Sequence, residues 1–403
     1  MPRRLRRDLE LRTEMTLDLS SIEIVDADTH LIETADLWTS RAPAAIKDRV
    51  PHVEEIDGKD SWVMEDTVLG PAFIGGVIRN DGAKIETEIA YSEWGFEDVH
   101  PGGYDLTARL AVMDAAGVSA QVAFPNNLGL GGQGVAMASS DQALLNACVE
   151  IYNDYGAEVQ ERSGNRILPM AVMPAWSVDA CVREARRGHA KGLRGVNITS
   201  DPSDQGAPDL ADPVWDSLWS TCVELQLPVH FHIGNSDTSM NFYENYSWGS
   251  NSESVKLAIG GMMLFIGNAR SIVNIIASGM LERHPELQIV SVESGCGWIP
   301  FVMEALHYEM AENSPQALSK LSLTPLEYFQ RQIYATTWFE RADIAYTIGR
   351  VGEDRIMFET DFPHPTCLYP DPLKIAAENL QTLSPTAQEK ILSTNAKLLY
   401  RLP

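Results

Sequence analysis

Cationic residues are scarce in this chain. Lys and Arg number 31 against 56 Asp and Glu, so the 403 residues carry a formal net charge of −25. That excess argues against nucleic acid and against an anionic membrane surface as partners. It leaves room for a small anionic substrate, because a metal ion or one local Arg outweighs a distant field. Cysteine is sparse too. Cys148, Cys181, Cys222, Cys296 and Cys367 are widely spaced and form no CxxC, so a reduced, cytoplasmic setting is expected rather than secretion. No run approaches the ~20 apolar residues of a membrane span. No period of roughly 20–50 residues repeats, which excludes a solenoid. The first fourteen residues hold five Arg but lack the apolar core of a signal peptide, and 1–21 is expected to be a flexible N-terminal extension.

What remains is material for a globular chain: 44% hydrophobic and 22% charged residues. From Ile22 onward, short apolar runs alternate with amphipathic stretches. IEIVDAD, SAQVAFP, RILPMAVM, GLRGVNI, LPVHFHIG, ELQIVSVE, QIYAT and RIMFETD read as eight strands. A helix is expected after each. Asp105 can cap one that Gly117 stops, and Ser384 with Pro385 can open the last. Two stretches interrupt the rhythm, 40–103 and 235–268, and read as insertions. Repeated β–α order demands parallel pairing, and eight units close into a (β/α)₈ TIM barrel. A doubly wound open sheet is the runner-up. The span 22–403 is expected to be one barrel domain, with the insertions over its C-terminal face.

In such a barrel the chemistry sits at the carboxyl ends of the strands. The first strand ends in Asp28-Thr29-His30, the fifth in His230-Phe231-His232, the sixth in Glu293, and the eighth in Asp361 followed by His364. Residues i and i+2 of a strand share a face, so Asp28 and His30 are expected to point inward together. With His232 and Asp361 they offer two imidazoles and two carboxylates to one divalent cation. That donor set suits Zn²⁺ first and also Mn²⁺ or Fe²⁺. A single inward His is more often a satisfied core group, and His230, one layer below His232, is expected to be structural.

The segments VDADTHLIE, LPVHFHIG, VESGCGWIP, FETDFPH and NAKLLY, in this order, resemble the amidohydrolase-2 branch of the amidohydrolase superfamily. Within it, the similarity is to the metal-dependent decarboxylases typified by aminocarboxymuconate-semialdehyde decarboxylase and the resorcylate decarboxylases. The resemblance spans nearly the whole chain from Ile22. It implies a distorted barrel holding one divalent metal, with ligands at Asp28, His30, His232 and Asp361. It also implies a homodimer. Two departures stand out: Asp28 occupies a position where many members have His, and Glu293 stands where aminocarboxymuconate-semialdehyde decarboxylase has a catalytic His.

The expected activity is therefore metal-dependent, non-oxidative decarboxylation of a small aromatic or unsaturated carboxylic acid. The ion would grip the substrate carboxylate, and Asp361 would deliver a proton to the carbon losing CO₂. Glu293 and His364 are further proton-carrying candidates, with orientation of the ligands as their structural alternative. Glu33 and Trp298 are candidate substrate contacts; loop capping and core packing are the plainer roles. The alternative enzyme is a hydrolase of a C–N, C–O or C–C bond, in which Asp361 would take the proton of an attacking water. A metal-free barrel used for binding or scaffolding is the non-enzymatic alternative.

Two motifs are expected to mislead. Gly129, Gly131 and Gly134 fit GxGxxG, but the next strand ends Val172-Met173-Pro174 without the ribose-binding acid, so no dinucleotide cofactor is expected. Gly295-Cys296-Gly297 has no evident base beside it and reads as a tight turn rather than a nucleophile.

Overall fold

The computed structural model describes residues 19–403 except 74, 88–89, 91–93, 127–132 and 245–246. Eight strands surround a common axis: β1 (Ile24–Leu31), β2 (Val118–Pro125), β3 (Ile167–Pro169 and Ala171–Val172), β4 (Val196–Asn197), β5 (Val229–His232), β6 (Ile289–Val292), β7 (Ile333–Thr337) and β8 (Ile356–Phe358). Each pairs in parallel with the next. At Met170, β3 changes partner. The Met170 N–H donates to the Ala123 carbonyl at 3.0 Å, and the Ala171 N–H to that of Gly195 at 3.0 Å. The ring closes where the Asp361 N–H donates to the Asp28 carbonyl at 3.0 Å and the His30 N–H to that of Phe362 at 2.8 Å. This is the distorted (β/α)₈ barrel expected from the alternation.

The bore is packed, not hollow. Val25, Ala27, Val122, Phe124, Leu168, Val290, Val292 and Met357 form one buried cluster contributed by different strands. A second cluster joins the outward strand residues, among them Ile24, Ile167, Val229, Phe231 and Ile289, to the surrounding helices. In β1 the simple period of two breaks. Its register against β2 shifts between Asp26 and Thr29. Ala27 packs in the bore, yet its neighbour Asp28 meets His232 across it. A bulge re-aims side chains in this way.

Local signals place the helices. Asp105 accepts a hydrogen bond from the Ala108 N–H and opens Leu106–Ala116, which ends at Gly117 with φ 69°. At this left-handed φ glycine is the favoured residue. Ser384 caps Pro385–Glu389. The helix runs on through a π-helical turn, Lys390–Thr394, into Asn395–Tyr400, and so delivers Tyr400 to the floor of the barrel.

The stretch 40–103 holds an antiparallel sheet, His52–Ile56, Lys59–Met64 and Thr67–Pro71. The stretch 235–268 holds the helix Asp237–Glu244 and the first part of the helix Glu253–Ala277. The latter corrects one expectation. It is 25 residues long with a hydropathy of 1.4 and so has the length and composition of a membrane span. In the fold its second half is buried against the barrel: Asn268 donates to the Phe231 carbonyl and to Ser291. Of the GxGxxG stretch, Gly129 and Gly131 lie outside the described residues, as does the Arg-rich start of the chain.

Candidate metal centre

Four strand ends converge at the carboxyl-terminal mouth of the barrel. The His232 Nε2 lies 3.4 Å from Asp28 Oδ2 and 3.4 Å from Glu293 Oε2. The His30 Nε2 lies 3.7 Å from Asp28 Oδ1, 3.6 Å from Asp361 Oδ1 and 3.9 Å from Glu293 Oε2. Donor atoms held about 2.1 Å from one ion sit roughly 3–4 Å from one another, so these spacings fit a shared cation. The expected ligands fall in two overlapping donor clusters, Asp28, His30, His232 and Glu293 in one and His30, Glu293, Asp361 and His364 in the other.

The protein orients these donors itself. His30 Nδ1 is 2.8 Å from the Pro125 carbonyl, and His232 Nδ1 is 2.9 Å from the Ile233 carbonyl. A ring whose Nδ1–H is given to a carbonyl presents a bare Nε2 lone pair. Those Nε2 atoms, both oxygens of Asp28 and Oδ1 of Asp361 are buried and have no hydrogen-bond partner. Orphaned polar atoms at this depth are costly unless something satisfies them. A divalent cation does so for all of them at once, so the residues present fit a metal.

Electrostatics point the same way. Burial, then the charges of Asp361 and Asp26, pushes the Asp28 carboxyl well above its usual range. Burial and the charges of Asp361 and Asp28 do the same to Glu293. Burial holds His232 down at about 4, and drives His30 well below its ordinary value with help from His364 and His232. The imidazoles are thus neutral ligands, and the carboxyls repel one another until a cation joins them. Beneath them, burial and the charge of Asp28 raise Glu359 as well. Burial lifts Asp26 to about 7, against hydrogen bonds from Thr360 and Gln121.

Two of these carboxylates sit on strained backbone. Glu293 has φ 54° and Asp361 φ 59°, left-handed values that non-glycine residues seldom adopt. Strain of this kind clusters at functional sites, where the surroundings enforce it. At Glu293 its N–H is held by Thr336 Oγ1 at 3.0 Å, and the next turn is held by Glu340, whose carboxylate accepts from the Cys296 N–H at 2.5 Å. Gly295-Cys296-Gly297 is therefore the turn expected. Burial pushes the Cys296 thiol well up, as suits an inert group.

His364 stands over the cluster. Its Nδ1 is 3.2 Å from Asp361 Oδ1 and its Nε2 is 3.0 Å from Asn126 Oδ1. Asn126 was not singled out from the sequence, although its place just past the end of β2 is the signal that would have found it. Its N–H donates to Glu33 at 3.1 Å. Glu33 was a candidate substrate contact with loop capping as its alternative; it is buried and accepts from the Asn126 N–H, the capping role. Trp298 likewise takes the plainer of its two expected roles. Its indole N–H is shared between the carbonyls of Ser294 and Gly295, at 3.2 and 3.0 Å, and it packs against the core rather than lining the mouth. Arg194 reaches the carbonyls of Tyr400 and Arg401 at the opposite end of the barrel. His230 is structural as expected, with Nδ1 2.9 Å from the Val196 carbonyl and Nε2 2.9 Å from Tyr400 Oη.

Above the cluster opens a cavity of about 800 Å³, with His232, Glu293 and His364 on its lining. Both insertions border it, 40–103 through Glu86 and Thr87 and 235–268 through residues such as Tyr243 and Phe265. Trp338 and Phe339, just after β7, supply the aromatic wall that the sequence reading had sought at Trp298.

The amidohydrolase family model matches residues 25–402. The chain belongs to this family. A gamma-resorcylate decarboxylase of Rhizobium radiobacter is 26% identical over 308 residues, 73% of this chain and 86% of that protein. The crystal structure of an amidohydrolase from Mycobacterium avium subsp. paratuberculosis K-10 superposes with a TM-score of 0.74 at 22% identity, covering 94% of this chain and 99% of the other. A 5-carboxyvanillate decarboxylase from Novosphingobium aromaticivorans, complexed with manganese and a nitrobenzoic acid, does so with a TM-score of 0.63 at 15% identity, covering 95% and 97%. The two structural likenesses are likenesses of fold. Within the amidohydrolase family, the cluster described above lies where barrel enzymes keep their chemistry.

Proposed function

We propose that this amidohydrolase is a metal-dependent, non-oxidative decarboxylase of an aromatic or unsaturated carboxylic acid. The observation that carries the proposal is the buried, unpartnered donors on Asp28, His30, His232 and Asp361, which fall in two donor clusters that share His30 and Glu293 beneath a large cavity. The similarity to a gamma-resorcylate decarboxylase supports the choice of reaction. Asp28, His30, His232 and Asp361 would hold the ion, with zinc favoured by the imidazole–carboxylate set and manganese next. A divalent ion there supplies Lewis-acid attraction for a carboxylate and an adjacent oxygen.

The protein's own groups do the proton chemistry. Asp361 carries a proton to the carbon that bears the carboxylate. The bond to the carboxylate carbon then breaks, its electron pair returns to the unsaturated system, and CO₂ leaves. The balance is one proton and one carboxylate in, one C–H bond and one CO₂ out. Asp361 is resupplied by its neighbour His364, whose Nδ1 lies 3.2 Å from Asp361 Oδ1. His364 borders the open cavity and so connects Asp361 to solvent. The apolar wall keeps water from the carbon being protonated.

A reducing, cytoplasmic setting is part of this reading, supported by five cysteines that are all buried and unpaired. So is self-association as a dimer, supported by exposed apolar residues such as Trp248 and Phe301. The acidic balance supports a small-molecule substrate in preference to nucleic acid or a membrane surface.

The test is a screen of aromatic and muconic acids with zinc- and manganese-loaded protein, following CO₂. Release of CO₂ that depends on the metal and disappears in Asp361→Asn is expected. Consumption of water from an ester or amide, with no CO₂ from any acid, would replace the decarboxylase with a hydrolase.

A further inference from the structure

The cavity over the cluster is far larger than one aromatic ring requires. A dry apolar cavity of roughly 150 Å³ is enough for benzene; this one measures about 800 Å³. Its imidazoles, His232 and His364, stand at the floor with Glu293, and its other polar lining groups are hydroxyls of Thr87, Tyr243, Ser254 and Thr366 and the Glu86 carboxylate. The wall away from the floor is built from Met240, Leu257, Met262, Leu264, Phe265 and Leu368, closed by the Trp338–Phe339 pair. Phe265 stacks on Phe339 with centroids 5.6 Å apart and lies edge-on to Trp338 at 5.5 Å. Such a wall offers a flat ring system extensive contact, with neutral hydroxyls such as Tyr243 and Ser254 as its polar groups away from the floor.

The charge pattern narrows the ligand further. Among the described residues, none that lines the cavity is Lys or Arg. The internal stretches outside the described residues contain no Lys or Arg either. Cations carried by the neighbouring segments are engaged elsewhere. Lys84 donates to the Cys367 carbonyl, Lys256 pairs with Glu253, and Arg270 pairs with Asp201. Glu86 adds a negative group to the rim. A first carboxylate has the cluster at the floor to receive it. A second would meet a mostly apolar wall with no cation to pair with, at a high desolvation cost.

We propose that the substrate is a monocarboxylic acid with an extended apolar body, such as fused rings or a ring with a hydrophobic substituent, and that a second carboxylate is excluded. The inference rests on the decarboxylase reading for its reaction but on the cavity alone for its binding. The helix Glu253–Ala277 is then the specificity-determining element, because it supplies Leu257, Met262, Leu264 and Phe265.

The experiment uses the full-length, metal-loaded protein and three probes: 2-hydroxybenzoate, 3-hydroxynaphthalene-2-carboxylate and 4-hydroxyisophthalate. Binding is read by calorimetry and turnover by CO₂ release. The naphthoate is expected to bind at least about tenfold tighter than the single-ring acid, the order of gain that added apolar contact brings in a fitted pocket. The isophthalate is expected to bind weakest. Met262→Arg, at a half-exposed position that tolerates the change, should reverse the order of the naphthoate and the isophthalate. Equal or tighter binding of the single-ring acid or the isophthalate by the unaltered protein overturns the inference. An unchanged order in Met262→Arg overturns the role of the helix. The naphthoate binding tightest with no CO₂ from any probe upholds the cavity inference and counts against the decarboxylase reading instead. CO₂ release with a flat binding order does the reverse.

Discussion

His364 stacks on His30, with ring centroids 3.6 Å apart and planes inclined by 21°. One ring is a buried candidate ligand whose Nε2 faces the cluster; the other borders the cavity, with Nδ1 3.2 Å from Asp361 Oδ1 and Nε2 3.0 Å from Asn126 Oδ1. The pair places a proton-carrying group directly over the site without making it a ligand by necessity.

His364→Phe keeps the stacking surface and removes the proton path. Turnover is expected to fall by about 10²-fold, at the lower end of what general acid–base groups contribute, with metal content unchanged. Elemental analysis and single-turnover kinetics check both parts. Loss of the metal with the activity would make His364 a ligand.

His232→Ala removes a donor that no neighbour replaces. Metal affinity is expected to drop by more than about 100-fold, beyond the 10–100-fold typical of outer partners. The circular dichroism spectrum should be retained, since the site lies at the mouth rather than in the barrel packing. A competition titration with a chromophoric chelator measures the affinity. A fully metallated, active variant would remove His232 from the site.

Metal binding should release protons. The Asp28 and Glu293 carboxyls are raised well above their ordinary values by burial and by the charge of Asp361 in the metal-free protein, and a cation favours their ionised forms. His30 and His232 are lowered and already neutral, so they release none. Affinity therefore rises with pH. Calorimetry in buffers of different ionisation enthalpy gives the proton count, and proton uptake or no exchange would contradict the sign.

Tyr400→Phe tests the floor of the barrel. It leaves His230 Nε2 buried without its partner at 2.9 Å, which costs about 1–3 kcal/mol. Melting temperature should fall while kcat and KM hold, because the pair lies a layer below the cluster. A loss of activity larger than the loss of stability would place His230 in the chemistry.

The eight-fold alternation of strand and helix, the caps at Asp105 and Ser384, and the ligand types at four strand ends are local properties. Periodicity and residue chemistry are written along the chain, so Asp28, His30, His232 and Asp361 were legible before any coordinates. The slip of register between Asp26 and Thr29, the left-handed backbone at Glu293 and Asp361, and the seating of Asn126 beneath His364 were not legible. Each depends on what a segment tens to hundreds of residues away presses against it. The same holds for the substrate wall. Indole and phenyl rings at Trp298, Trp338 and Phe339 are alike as sequence, and the turn after β6 folds one onto its own backbone while the turn after β7 opens the others to the cavity. Thus the residues alone determined which groups can hold a cation, because that is a matter of side-chain chemistry. Closure of the barrel decided which of them share it and what shape stands above, because both are matters of distance between segments far apart in the chain.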